Sequence, residues 1–192
     1  MPWTPEDRAP RQHQDATKAS RKGLLIVYTG DGKGKTTAAL GLAFRAMGRK
    51  ATVAVVQFIK GAWKTGEAAM AKELEGRMDF HSMGDGFTWV TQNYAQDVES
   101  ARRAWTKCVE LLADARYAVV IFDELCYVLA YNFLSVDEVL QGLARRPPGM
   151  HVVITGRNAP PELMEAADLV TEMREIKHPY RAGIKAQPVV DY

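Results

Sequence analysis

A short apolar run, Leu24-Leu25-Ile26-Val27-Tyr28, breaks into Thr29-Gly30-Asp31-Gly32-Lys33-Gly34-Lys35-Thr36-Thr37. The apolar pattern then resumes with Ala39, Leu42, Ala43, Ala46 and Met47 at close to helical spacing. The first run reads as a buried parallel strand and the second pattern as a helix. Between them, glycines let backbone N–H groups converge on an anion, and the helix N-terminus adds positive potential. Lys35 supplies a full charge and Thr36 a hydroxyl that can ligate Mg²⁺. The phosphate-loop pattern G-x-x-x-x-G-K-[ST] is not met literally, because Thr29 holds the first position and a glycine follows one residue later. The flanking strand and helix supply the context that the pattern requires. Gly30, Asp31, Gly32, Lys33, Gly34, Lys35, Thr36 and Thr37 are therefore the expected nucleoside triphosphate site.

The rest of the chain alternates strand and helix signals. Strands are expected at Ala51–Phe58, Met78–Met83, Ala118–Phe122, His151–Thr155 and Leu169–Ile176. Helices are expected at Glu67–Leu74, Ala95–Arg116, Leu125–Phe133, Val136–Leu143 and after Pro160-Pro161. Ser135 with Glu138 three residues on caps the fourth of these. Such alternation implies an α/β fold with a mostly parallel sheet and helices on both faces. At 192 residues one domain is expected. Residues 1–22, with three prolines and many polar groups, read as a tail, which leaves 23–192 as the folded unit. A net charge of +2 argues against a dedicated nucleic-acid binder. The N-terminus lacks the apolar core of a signal peptide, and no apolar run approaches the ~20 residues of a membrane span, so a cytoplasmic protein is expected. Cys108 and Cys126 sit in apolar contexts typical of buried thiols.

A second signal is Val119-Val120-Ile121-Phe122-Asp123-Glu124. An acid ending a hydrophobic strand downstream of a phosphate loop is where nucleotide enzymes hold a Mg²⁺ partner, so Asp123 joins Thr36 as the expected metal site. Glu124 can touch nucleotide, metal or a second substrate; the preference of helix N-termini for acids is the plain alternative. Lys60, Lys64 and Arg157 fall in loops at the ligand end of the sheet. Arg45, about two and a half turns along the loop's own helix, reads as a surface residue on physical grounds. Phe87 and Trp89 occupy a glycine-flanked polar loop, either as a platform for a flat ligand or folded onto the core. His151 and His178 lack ligand-spaced partners and read as structural. No residue stands out as a base to activate a hydroxyl or water.

Taken together, TGDGKGKTTAALGLAFRAMG, QFIKG, GFTWVTQN, IFDELCYVLAYNFL, VVITGRNAPPELMEAADLVTEM and KHPYRAGIKAQPVVDY resemble the cobalamin adenosyltransferases of the CobA/BtuR type, over residues 23–192. The resemblance implies a RecA-like P-loop NTPase fold and a homodimer. It implies transfer of the 5′-deoxyadenosyl group of ATP to the Co(I) centre of cobalamin or cobyrinic acid a,c-diamide, with release of triphosphate. A reduced flavin or flavoprotein would supply the electron, and Mg²⁺ or Mn²⁺ would accompany ATP. By the same resemblance Gly30–Thr37 bind triphosphate, Arg45 contacts its far end, Thr36 and Asp123 serve the metal, and Arg157 lies near the nucleotide. Lys35, Glu124, Phe87 and Trp89 would form the catalytic set, the two aromatics packing at the lower corrin face to leave cobalt four-coordinate. Residues 1–22 would form a helix that covers the partner's active site. Two other classes compete: a small P-loop kinase or NTPase acting at the γ-phosphate, and a binding module without turnover.

Overall fold

The computed structural model describes residues 22–59, 65–84, 93–187 and 189–191. Among the described residues six parallel strands form one sheet in the order β3-β2-β4-β5-β1-β6. They are β1 (Leu25–Thr29), β2 (Thr52–Gln57), β3 (Met78–Ser82), β4 (Tyr117–Asp123), β5 (His151–Thr155) and β6 (Leu169–Glu172). Among the described residues the helices are α1 (Lys35–Gly48), α2 (Gly66–Glu73), α3 (Tyr94–Ala113), α4 (Leu125–Ala130), α5 (Val136–Ala144) and α6 (Pro161–Ala166).

The central strands are apolar on both sides because both faces are covered. On one face α1 lays Ala39, Ala43 and Met47 against Val53, Ile121 and Val153. Alanines at four-residue spacing let this helix approach the sheet closely. On the other face α3 contributes Ala101, Ala104, Trp105, Cys108 and Leu112, and Leu125, Val139 and Leu163 bring in α4, α5 and α6. The Trp105 ring meets the Phe122 ring edge-on at 5.9 Å, which fixes α3 over β4.

Three elements stop earlier than their patterns suggest. The long helix ends at Ala113 because Asp114 turns extended and its side chain accepts the Arg116 N–H at 3.0 Å. Helix α4 ends at Ala130, and Asn132 then enters the left-handed region at φ 57°. Strand β6 stops at Glu172, after which Met173 turns to accept the Gly32 N–H at 2.7 Å. That edge strand is exposed throughout. His151 and His178 have structural roles: their Nδ1 atoms accept the backbone N–H groups of Leu24 and Tyr180, both at 3.1 Å.

Candidate functional site

The loop between β1 and α1 sits at the carboxyl end of the sheet, the ligand end of an open α/β fold. Gly30 takes φ 91°, and a Cβ there would lie 2.4 Å from the Met173 carbonyl oxygen, so glycine is required at this position and not at the preceding one. Thr29 instead ends β1 and uses its hydroxyl to accept the buried Ala159 N–H at 3.2 Å. That accounts for the departure from the literal phosphate-loop pattern. Gly34 precedes α1 at φ 113°, and no side chain caps the helix. The first-turn N–H groups are thus left to an external acceptor, as an anion cradle requires.

Lys35 is 8% exposed. Its Nζ donates to the carbonyls of Gly30 at 2.6 Å and Gly32 at 2.7 Å, so the ammonium lies inside the curl of the loop. Burial lowers its pKa, and the nearby Glu124 carboxylate pulls the other way. Lys33 projects outward and pairs with Asp191 from the C-terminal segment. Arg157, after β5, donates to the Asp31 carbonyl at 3.2 Å, and its Nε stands 3.8 Å from the Asp31 carboxylate. It therefore folds over the outside of the loop.

Because β5 intervenes between β1 and β4, a residue of β5 lies between the loop and the acid at the end of β4. Asp123, 1% exposed, accepts from Thr36 Oγ1 at 2.8 Å and from Thr155 Oγ1 at 2.7 Å through one oxygen. Its other oxygen accepts from Gln57 Nε2 at 3.0 Å. Strand register sets Gln57 beside Asp123 and Ser82 beside Gln57, and Ser82 Oγ donates to Gln57 Oε1 at 3.4 Å. A polar row thus crosses the end of an apolar sheet and fixes the Asp123 carboxylate against the loop. Thr155 also accepts the Glu124 N–H at 3.0 Å, which helps hold Glu124 in the left-handed region at φ 65°. Glutamate there is strained, as residues at functional sites often are.

In front of this polar row lies a cleft of about 450 Å³. One wall is the loop from Asp31 to Thr37, with Arg157 and Asn158. Glu124 stands beside it, and Tyr127 and Tyr131 of the α4 segment form the wall beyond. Their rings stack at 4.3 Å with a 25° tilt, and Tyr131 continues to Phe133 and Tyr94. Half of Tyr131 is exposed, at 49%.

The structure thus brings together Gly32, Lys33, Gly34, Lys35, Thr36, Thr37, Asp31, Glu124 and Arg157, with Gly30 and Asp123 directly behind them. Arg45 lies exposed in the last turn of α1 and outside the cleft lining. Phe87, Trp89, Lys60, Lys64 and the tail before Lys22 lie outside the described residues. Sequence reasoning missed Thr155, Gln57, Tyr127, Tyr131 and Asp191. Gln57 carried a signal, a lone amide ending an apolar strand; Thr155 ends a strand in the same way.

A Mg²⁺-type ion usually takes one or two protein oxygens together with phosphate and water. The Thr36 hydroxyl and Asp123 carboxylate fit that donor set. Among the described residues there is no cluster of three or more His, Cys, Asp or Glu that would form an all-protein cage.

The fold and the cleft define a P-loop nucleotide-binding protein of the RecA-like kind. The chain belongs to the ATP:corrinoid adenosyltransferase BtuR/CobO/CobP family, which it matches over residues 21–192. It is 49% identical over 187 residues to a corrinoid adenosyltransferase of a Sinorhizobium species, covering 96% of this chain and 87% of the relative. The corrinoid adenosyltransferase of Pseudomonas aeruginosa is 45% identical over 177 residues, covering 92% of this chain and 87% of the relative. That of Escherichia coli K12 is 46% identical over 177 residues, covering 92% and 89%. Among solved structures, the flagellar accessory protein FlaH of Methanocaldococcus jannaschii superposes with a TM-score of 0.56 at 16% identity, over 79% of this chain and 71% of that one. At that identity the likeness concerns the fold alone.

Proposed function

We propose that this protein transfers the 5′-deoxyadenosyl group of ATP to the Co(I) centre of a corrinoid, cobalamin or cobyrinic acid a,c-diamide, and releases triphosphate. Family membership supports the reaction class. The observation that carries the reading to the residues is the division of one cleft into an anion cradle and an aromatic wall, with Glu124 beside the cradle. Co(I) is a strong nucleophile. It gives an electron pair to the ribose 5′ carbon, and the C5′–O bond breaks with its pair going to the triphosphate. No protein base is needed, because no proton is removed.

The work of the chain is then positioning and charge neutralisation. Backbone N–H groups between Gly30 and Thr37, except that of Gly32, which donates to the Met173 carbonyl, and the Lys35 ammonium hold the leaving group as its charge grows. Thr36 and Asp123 would hold a Mg²⁺ or Mn²⁺ ion, which supplies further charge neutralisation on the phosphates. Arg157 closes the loop from outside, and Arg45 serves the far phosphate. Glu124 faces the nucleotide and corrin from its strained position, and Tyr127 with Tyr131 offers flat apolar surface to a ring system. Phe87 and Trp89 pack at the lower corrin face and keep cobalt four-coordinate. The active form is a cytoplasmic homodimer served by a reduced flavin or flavoprotein, with residues 1–22 covering the partner's site. The exposed edge strand β6, with Leu169 and Val170 at 40% and 41% exposure, supports assembly.

The decisive experiment is an anaerobic reaction of ATP, Mg²⁺ and chemically reduced cob(I)alamin, with corrin spectrum and phosphate product followed together. A light-sensitive adenosylcorrinoid with stoichiometric triphosphate is expected. ADP and phosphate over unchanged corrin would make the protein a phosphotransferase instead.

A further inference from the structure

The C-terminal segment returns to the phosphate loop after a 3-10 turn at Pro179–Ala182 and places Val190 and Asp191 in the cleft lining. Asp191 pairs with Lys33, and its side chain is 14% exposed against 44% for the lysine. The carboxylate is also fastened to its own turn. It accepts the Gln187 N–H at 2.7 Å, while the Asp191 N–H donates to the Gln187 carbonyl at 2.9 Å. A negative group is thereby held against a loop whose lysines and uncapped helix N-terminus favour anions.

A carboxylate and a phosphate cannot share that cation without mutual repulsion. We propose that Asp191 is a built-in competitor for Lys33, displaced when a triphosphate group enters the cleft and re-paired when it leaves, so that it sets the affinity of the site for polyphosphate. This rests on reading the cleft as a triphosphate site. It has a consequence for turnover: cleavage of the C5′–O bond leaves an added negative charge on the departing triphosphate. Asp191 therefore disfavours the product more than the substrate.

The test is calorimetric titration of the full chain with inorganic tripolyphosphate, with and without Mg²⁺. It compares wild type, Asp191→Asn, Asp191→Glu, Lys33→Gln and the Lys33→Gln/Asp191→Asn pair. Asp191→Asn is expected to bind about two- to fivefold tighter, the range for a partly exposed ion pair. Asp191→Glu, which keeps the charge, should stay near wild type. In the Lys33→Gln background the asparagine should bring no gain, because the contested cation is gone. Unchanged or weaker binding by Asp191→Asn overturns the competition. Weakening only with Mg²⁺ also overturns it and makes Asp191 a metal-side ligand. Absence of tripolyphosphate binding by the wild-type chain removes the triphosphate reading and the role of Asp191 with it, a distinguishable failure.

Discussion

Replacing Thr155 by valine keeps the shape of a fully buried side chain and removes one hydroxyl. That hydroxyl donates to the Asp123 carboxylate at 2.7 Å and accepts the Glu124 N–H at 3.0 Å. A hydrogen bond to a charged group contributes about 1.5–3 kcal/mol, and withdrawing the acceptor from a buried N–H costs about 1–3 kcal/mol. Allowing for relaxation and for the added methyl, Thr155→Val should lose about 2–4 kcal/mol of stability. Urea unfolding reads this as a fall in midpoint at unchanged slope. Thr155→Ser restores the hydroxyl and loses only a methyl, so its loss should be about 1 kcal/mol. Mg²⁺–ATP affinity should drop several-fold in the valine variant, because Asp123 loses a donor that aims it at Thr36. A valine variant within about 0.5 kcal/mol of wild type, the scale of an inconsequential surface change, would refute the reasoning. So would a serine variant no better than valine.

Lys35→Ala should lower ATP affinity at least tenfold in equilibrium binding, since a charge-assisted phosphate contact is worth about 1.5–3 kcal/mol; wild-type affinity would sink the phosphate assignment. Gly30→Ala forces a Cβ to 2.4 Å from a backbone oxygen at φ 91°, so nucleotide binding should be abolished and the thermal midpoint clearly lowered. Burial, and after it Glu124, pushes the Cys126 thiol from its ordinary 9.0 up to about 12. Its protonated folded form therefore contributes stability that is complete below pH 9 and is lost as pH rises through about 12. Urea midpoints should fall across that window, and a thiol reagent at pH 8 should leave the native protein unlabelled. Trp89→Ala should slow adenosylation when the reaction starts from Co(II) far more than from pre-formed Co(I), and equal losses would argue against a four-coordinate role.

The parts legible in the sequence are those written in neighbouring residues. The glycine-rich loop, its flanking strand and helix, and the acid that ends β4 all carry local patterns, and β1, α1 and β4 form where those patterns put them. Even the imperfect motif was decipherable through context, though only the Met173 carbonyl explains why the glycine is displaced. What escaped was non-local. Thr155 looks like any strand-end threonine until β5 is known to lie between β1 and β4. Asp191 sits in a polar tail, and nothing near it in sequence points to Lys33. Tyr127 and Tyr131 were visible as helical aromatics at i, i+4, a spacing that equally suits a core. The extent of β6 is not legible because the Met173 N–H still bonds to Thr29 of β1 while its carbonyl is taken by the Gly32 N–H of the loop, which ends the ladder there.

The strand order also sets a schedule. β1 is the first strand of the folded unit to leave the ribosome, yet its sheet neighbours are β5 and β6, the last two. The loop that follows it needs Met173 as a backstop before Gly30 and Gly32 can take their bound-ready shape. During synthesis β2, β3 and β4 can pair among themselves, while the first strand and its helix wait with apolar faces uncovered. The seating of the loop thus waits for β6 and Met173, about 140 residues after the loop itself has been made. Shortened products lacking β6 would carry the complete motif without the carbonyl that seats Gly32.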